Sequence, residues 1–302
     1  MRISDDRHRL LSFPVPPKRV VSLVPSDTLN VAALGCGSAL VGRTDYCELP
    51  PELVQSLPSV GGTKNPRVAD ILSLSPDLVI ANQEENRKDD LEALAQAGVR
   101  VYVSFPKTVP QGLAHLAKLA RIFHVHKEAA VIDLFRTAYA EEKERERSFA
   151  AKGARPRRVF CPIWMKPLMT IHGSTFISDA LARVGLENVF ASRSRKYPLA
   201  ADLGQREPMT AEEVGERDVR YPRVTMDEVV ESAPEVVLLP SEPHPFTEAD
   251  AEVFRALPIP AAKTGDILFV DGKDLCWYGA RSIGGLERLA RAIEKRDGAT
   301  AP

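Results

Sequence analysis

Cysteine is scarce in this 302-residue sequence: Cys36, Cys47, Cys161 and Cys276 are the only four. They form no CxxC pair and no zinc-ribbon spacing, which argues against a disulfide scaffold or a structural zinc module. A dominant charge is also missing, since 40 Lys and Arg against 41 Asp and Glu give a net charge of −1. No global field draws in nucleic acid or an anionic membrane, and neither is expected as a partner. Apolar runs are short. Even the weakly polar stretch Val20 to Val41 carries Asp27 in its middle, so no segment qualifies to span a bilayer and no membrane insertion is expected. Asp5, Asp6, Arg7, His8 and Arg9 stand where a secretory signal needs an apolar run, so the chain as written reads as cytoplasmic. GxSxG, GxxxxGK[ST] and GxGxxG are absent, and Gly35-Cys36-Gly37 reads as a helix end. Ser22, Ser26, Asp45 and His172 supply the residue types of a Ser/His/Asp set, but nothing in the pattern assembles them, and no enzyme is expected.

The chain does contain two runs of strand and helix signals. Arg19 to Val24, Ala39 to Arg43, Pro76 to Ala81 and Val99 to Val103 read as strands, the third a continuous apolar run suited to a parallel sheet covered on both faces. Helices are expected after Pro25 and from Lys88 to Ala97, the latter stopped by Gly98. From Lys127 to about Ala151 neither Gly nor Pro interrupts a run of strong helix formers, whose second half, Glu141 to Arg147, is charged almost all round. That half is either a solvated face laced with i,i+4 pairs or part of a rigid strut. Strand signals resume at Arg158–Phe160, Glu235–Leu239 and Ile267–Val270, with helices near Thr175–Val184 and Ile283–Lys295. A polar stretch from Ala191 to Arg223 reads as surface decoration. The expected fold is α/β: two Rossmann-like lobes, residues 1–126 and 153–302, joined by a long helix over 127–152, with a ligand cleft between them.

Open parallel sheets bind ligands beyond the carboxyl ends of their strands. The segments there are Ser26-Asp27-Thr28, Asp45-Tyr46-Cys47, Asn82 to Arg87, Ile163-Trp164-Met165, Ser241 to Phe246 and Trp277 to Arg281. Both tryptophans fall among them, either as packing at loop bases or as flat faces for a ring system.

Arg19 to Pro25, Val41 to Cys47 with Pro50-Pro51, Val60-Gly61-Gly62, Leu74 to Ile80 and Gly185 to Phe190 occur in an order that resembles the ligand-binding components of ABC importers for vitamin B12 and iron chelates. The resemblance implies two lobes on one stiff helix that clamp a cobalamin, haem or siderophore without covalent chemistry, in a monomer delivered to ABC permease subunits. It also implies a periplasmic or cell-surface location. Tyr46 matches an aromatic that lies against the corrin ring in cobalamin-binding members, Tyr221 an aromatic from the opposite lobe, and Arg281 a basic residue near the ligand. Where those members carry two more tryptophans, Thr63 or Lys64 and Asn82 stand here, which implies a more polar pocket.

The candidate ligand contacts are therefore Tyr46, Cys47, Lys64, Asn82, Glu85, Arg87, Trp164, Tyr221, Glu242, Trp277, Tyr278 and Arg281. Cobalamin is the first expected ligand, and another tetrapyrrole or metal chelate the next. Cys47, His172 and His244 are candidates for direct metal ligation, Cys47 standing either as a structural thiol or as an axial ligand. The resemblance implies a docking carboxylate on each lobe: Asp227, followed by Glu228, fills one position, and Asp70 lies beside Ala69 at the other. The competing reading is a cytosolic sensor, carrier or interaction protein that retains the two-lobed fold without a transport role.

Overall fold

The computed structural model describes residues 1–153 and 155–297. Residue 154 and the last five residues of the expected second lobe, 298–302, lie outside the described residues. The chain divides into two compact units. The first is Met1–Tyr139 with Trp277–Ile283; the second is Ala140–Cys276 with the chain from Gly284 onward.

In the first unit a two-stranded antiparallel hairpin, β1 (Arg2–Ser4) with β2 (Leu10–Ser12), precedes the sheet. Strands β3 (Val20–Ser22), β4 (Leu40–Arg43), β5 (Leu78–Asn82) and β6 (Val101–Ser104) form a parallel sheet in the order β4-β3-β5-β6. Successive side chains point to opposite faces, so the sheet supplies two cores. Val20, Leu78, Ile80 and Tyr102 face one way, packing with Phe13, Val31, Leu116 and Leu119. Val21, Val79, Ala81, Val101 and Val103 face the other, against Ile71, Leu91 and Leu94. The covering helices are α1 (Pro25–Ala33), α2 (Lys88–Gln96) and α3 (Val109–Ile122). Proline in the first turn of α1, where its missing N–H costs nothing, starts that helix directly at the end of β3.

Helix α4 (Ala129–Lys152) is 24 residues long, about 36 Å of rise. The 127–152 reading made it a separate connector, whereas the structure divides it between the two units. Val131, Leu134 and Phe135 pack in the first unit. Beyond Tyr139 the helix belongs to the second unit, where Glu141 accepts a hydrogen bond from the Gly284 N–H at 2.8 Å and Glu142 pairs with Arg183. The charged half is thus not a wholly solvated face: the side chains of Glu142, Arg145 and Arg183 are mostly covered.

The second unit repeats the plan with β7 (Arg157–Phe160), β10 (Leu186–Asn188), β11 (Val236–Pro240) and β12 (Ile267–Val270) in the parallel order β10-β7-β11-β12. A short antiparallel hairpin, β8 (Trp164–Met165) and β9 (Leu168–Met169), follows β7. Helices α5 (Phe176–Arg183), α6 (Glu248–Arg255) and, from Gly284 onward, α7 (Ser282–Asp297) complete it. Phe160, Val237 and Leu239 form one core with Phe190 and Phe254, while Val159, Val236 and Leu238 form the other with Leu181 and Leu289. Among the described residues no helix is long and apolar enough to cross a membrane.

The 153–302 boundary differs from the structure in one consequential place. Trp277–Ile283 belongs to the first unit, so Trp277, Tyr278 and Arg281 lie with Tyr46 and not with Trp164. The cause is a set of buried hydrogen bonds that local sequence patterning does not reveal.

Candidate functional site

The loops beyond β3, β4 and β5 are tied together by Asn86. Its Oδ1 accepts the Asn82 N–H at 2.9 Å, and its Nδ2 donates to Leu23 O at 3.2 Å and Thr63 O at 2.9 Å. Asn82 is itself buried. Its Oδ1 accepts the N–H groups of Glu84 and Glu85, and its Nδ2 donates to Ser104 Oγ and to the Tyr278 hydroxyl. An asparagine so fully engaged shapes the 82–86 turn; it is not free to hydrogen-bond a ligand as the sequence suggested.

Tyr278 meets the same interior. Its hydroxyl donates to Asp27 Oδ2 and lies 3.1 Å from each of Asp27 Oδ2, Asn82 Nδ2 and Ser104 Oγ. Burial, with Asp27 beside it, pushes its phenol well above the ordinary tyrosine range. Asp27 Oδ1 receives Asn30 Nδ2 at 3.0 Å and lies 2.6 Å from His115 Nε2, whose Nδ1 is 3.3 Å from the Tyr102 hydroxyl. The His115 ring stacks on Tyr102 at 5.7 Å and meets Tyr278 edge-on at 5.4 Å. Asn30 Oδ1 accepts the Ala280 N–H at 2.8 Å. A side chain on Gly279, whose φ is +81°, would place its Cβ 2.4 Å from Asn30 Oδ1, so only glycine fits there. Asp27, Asn30, Tyr102, Ser104 and His115 therefore clamp 277–283 to the first unit, and Trp277, 5% exposed, is held in the interior with it. Trp277 and Tyr278 are thus corrected from ligand contacts to core residues. The clamp residues were missed as a group; the polar Ser26-Asp27-Thr28 immediately after an apolar strand was the available signal.

Cys47 is corrected likewise. It is buried, with Sγ 3.0 Å from Thr28 Oγ1 and 3.2 Å from Thr44 Oγ1. Burial raises its thiol pKa despite those two hydroxyls, and the sulfur is engaged by both of them inside the unit. What the first unit does present outward is Tyr46, 62% exposed, on the turn after β4. A Cβ on Gly62 would come 2.4 Å from Asn65 Oδ1 and 3.5 Å from the edge of the Tyr46 ring, so the glycine there makes room for the Asn65 side chain. Near it in sequence, exposed Lys64 donates through Nζ to the Glu84 carbonyl, joining two of these loops. Arg87 is exposed and 3.7 Å from Asp89, while Glu85 and Arg281 are half-buried.

In the second unit Trp164, 43% exposed, rides on the β8–β9 hairpin and donates from Nε1 to Lys166 O at 3.1 Å. His244 stands 5.2 Å from its ring centroid and 4.7 Å from that of Phe246, making an aromatic cluster beyond β7 and β11. Tyr221 is half-buried on a strand-like segment fixed to the hairpin by Thr170 N to Pro222 O and His172 N to Arg220 O, with the Arg220 guanidinium 5.5 Å over its ring. Glu242 is half-buried with Oε1 3.2 Å from Cys276 Sγ. His172 turns its Nδ1 toward Ser174, 2.8 Å from Oγ. Cys47 lies in one unit, and His172 and His244 in the other; among the described residues no three His, Cys, Asp or Glu side chains gather to hold a metal ion.

Asp70 is exposed in the first turn of the short helix Val68–Ser73 and pairs with Arg67. Asp227 is exposed in the first turn of Met226–Glu231. Glu228 beside it is engaged internally: it caps that helix by accepting the Thr225 N–H at 2.8 Å and pairs with Arg193 at 3.1 Å. Of the three carboxylates expected to dock, Asp70 and Glu228 thus already have partners within their own units.

The sequence profile of the periplasmic binding protein family matches residues 20–271. Vitamin B12-binding proteins of Yersinia pestis (strain Pestoides F) and Yersinia pseudotuberculosis serotype O:1b (strain IP 31758) are each 32% identical over 192 residues. Those alignments cover 63% of this chain and 66% of each relative, just under two thirds of the relatives' length. Among solved structures, the periplasmic vitamin B12-binding protein BtuF of Vibrio cholerae superposes with a TM-score of 0.70 at 21% identity, covering 94% of this chain and 99% of the other. The apo periplasmic heme-binding protein RhuT from Roseiflexus sp. RS-1 gives 0.73 at 20% identity, covering 92% and 98%. At such identities the two structures speak to the fold alone.

Proposed function

The chain belongs to the periplasmic binding protein family, and from that premise we propose that it reversibly captures a cobalamin-like corrinoid, or a related tetrapyrrole or metal chelate, for delivery to an ABC importer. The family consists of binding proteins, and nothing in this reading calls for a bond to be made or broken. The observation that carries it is that each unit bares one large aromatic beyond the carboxyl ends of its parallel sheet, Tyr46 after β4 and Trp164 after β7. Full burial of such a side chain is worth roughly 1.5–3 kcal/mol, and a flat ligand recovers the part that their present exposure forfeits. Tyr221, Arg281, Lys64, Glu85, Arg87 and Glu242 are the polar and aromatic groups we assign to the ligand's periphery. Support for a corrinoid comes from the names of the 32%-identical relatives; the haem-binding neighbours keep haem as the second ligand to test.

The test is absorbance and calorimetric titration of the full chain with cyanocobalamin, cobinamide and haem. Saturable binding of at least one, weakened about tenfold or more by Tyr46→Ala and by Trp164→Ala, is expected, tenfold being about 1.4 kcal/mol. Failure to bind all three, or unchanged affinity in both variants, overturns the assignment. For importer delivery, reversing Asp70 and Asp227 to lysine should abolish uptake and leave ligand affinity unchanged.

A further inference from the structure

A cavity of about 570 Å³ opens in the first unit, lined by none of the residues assigned to the ligand above. The β1–β2 region forms one wall through Arg2, Ile3, Asp5, Asp6 and His8, and α3 with the segment before it forms the other through Phe105, Lys107, Gln111, Lys118 and Arg121. This volume is ordinary for a small-molecule pocket and several times what one inorganic anion fills.

Its charges do not balance. Asp5 is wholly buried and engaged by Arg9, through Nε at 3.0 Å and Nη2 at 2.9 Å, and by the N–H groups of Arg7 and Arg9. Asp6 Oδ1 pairs with Lys118 at 2.8 Å, and its Oδ2 accepts the Phe105 N–H at 2.7 Å. Both carboxylates are thus neutralised within the wall. Arg2, Lys107 and Arg121 remain, and among the described residues none of them pairs with a carboxylate. Lys107 sits 4.7 Å over the Phe105 ring, which orients its ammonium at the rim without cancelling its charge. Ile3, Phe105 and Ala114 supply apolar lining. Three uncompensated cations around a partly apolar hollow, in a chain whose net charge is −1, are a local concentration of positive potential that favours anionic ligands. Two of the three are guanidinium groups, whose forked donors match phosphate and carboxylate oxygens.

We propose that this cavity binds a small organic polyanion, a molecule bearing two or more phosphate or carboxylate groups on a body that rests against Phe105, Ile3 and Ala114. It is a second site, independent of capture by Tyr46 and Trp164.

The experiment is calorimetry of the full chain at low ionic strength with ATP, inorganic pyrophosphate and citrate as probes, which separate phosphate from carboxylate recognition and test the need for a body. The expected result is saturable binding of at least one probe, weakened tenfold or more in Arg2→Gln/Arg121→Gln. Lys263→Gln, a neutralisation in the other unit, should leave that binding as it was. Arg2 and Arg121 are exposed, so the double variant should melt as the parent does without ligand, and its cyanocobalamin titration should match the parent's whether or not the parent binds that compound. No binding of any probe up to about 10 mM overturns the proposal, that being below 3 kcal/mol of affinity. Equal binding by the double variant, or equal weakening by Lys263→Gln, overturns it as well, because the attraction would then be charge in general and not this cavity.

Discussion

Replacing Tyr278 by phenylalanine removes one oxygen and almost no volume, so its effect measures the clamp itself. That oxygen donates to the Asp27 carboxylate and has Asn82 and Ser104 as its other partners, each at 3.1 Å, all of them buried. A hydrogen bond to a charged group contributes about 1.5–3 kcal/mol and a neutral one about 1 kcal/mol. Asn82 keeps Ser104 as an acceptor at 3.3 Å and Asp27 keeps His115 and Asn30, so the loss falls short of the full sum, at about 3 kcal/mol. At roughly 3 °C per kcal/mol for a body of this size, the melting temperature of the first unit should fall by about 9 °C. The sequence has two tryptophans, one in each unit, so a Trp164→Phe background leaves Trp277 as the sole tryptophan, beside the altered residue, to be excited at about 295 nm where tyrosine hardly absorbs. In urea the Trp277 emission should shift red at a lower midpoint in the Tyr278→Phe protein. A double-mutant cycle with Asp27→Asn should return a coupling above about 1 kcal/mol. A destabilisation under about 1 kcal/mol, or additive effects in the cycle, would show that the segment is held by packing alone and that the hydrogen-bond argument is wrong.

Other consequences can be measured as directly. Gly279→Ala should destabilise the first unit more than Tyr278→Phe does, since it brings a Cβ within 2.4 Å of Asn30 Oδ1 at a positive φ; a melting temperature within 2 °C, the equivalent of roughly 0.7 kcal/mol, would refute the clash. Cys47 should resist alkylation by iodoacetamide at pH 8 until the protein unfolds, and Cys47→Ser should leave the spectrum of any bound corrinoid unchanged; a spectral shift would restore it as an axial ligand. Glu235 is held down at about 2 by Arg155 and the Arg158 N–H, below its ordinary value, so its contribution is present above pH 4.5 and is lost as the pH falls toward 2. Acid titration of stability should therefore be shallower across that window in Glu235→Gln, by a modest amount because the pair is partly exposed, and an unchanged slope would refute the pairing.

The parallel sheets were legible because their evidence is local. Leu78 to Ala81 is apolar without a break, as a strand covered on both faces must be, and Gly98 marks the end of the helix before β6 where a left-handed residue is needed. The hairpin of β1 and β2 was not read, since strands of three residues, the second with two leucines in succession, are too short to show an alternating pattern. The exposed aromatics were found at strand ends by position alone. Asn82 and Tyr278 were placed in the ligand pocket for the same reason, and there position misled: they bond to each other across 196 residues, and no window of sequence contains that fact. Cys47 shows the complementary failure, because whether a thiol faces water or Thr28 and Thr44 depends on a loop whose path is set elsewhere.

The excursion of 277–283 makes the covalent thread pass from one unit to the other three times: inside α4, before Trp277 and after Ile283. Severing α4 would accordingly leave the halves still stitched by their own backbone. Conversely, a truncated product ending near Tyr139 would carry Asp27, Asn30 and His115 with an open socket, and would need the missing heptapeptide supplied as a separate strand before it could close. Dissection of this molecule into halves thus succeeds by complementation or by rewiring its termini, and not by a single cut.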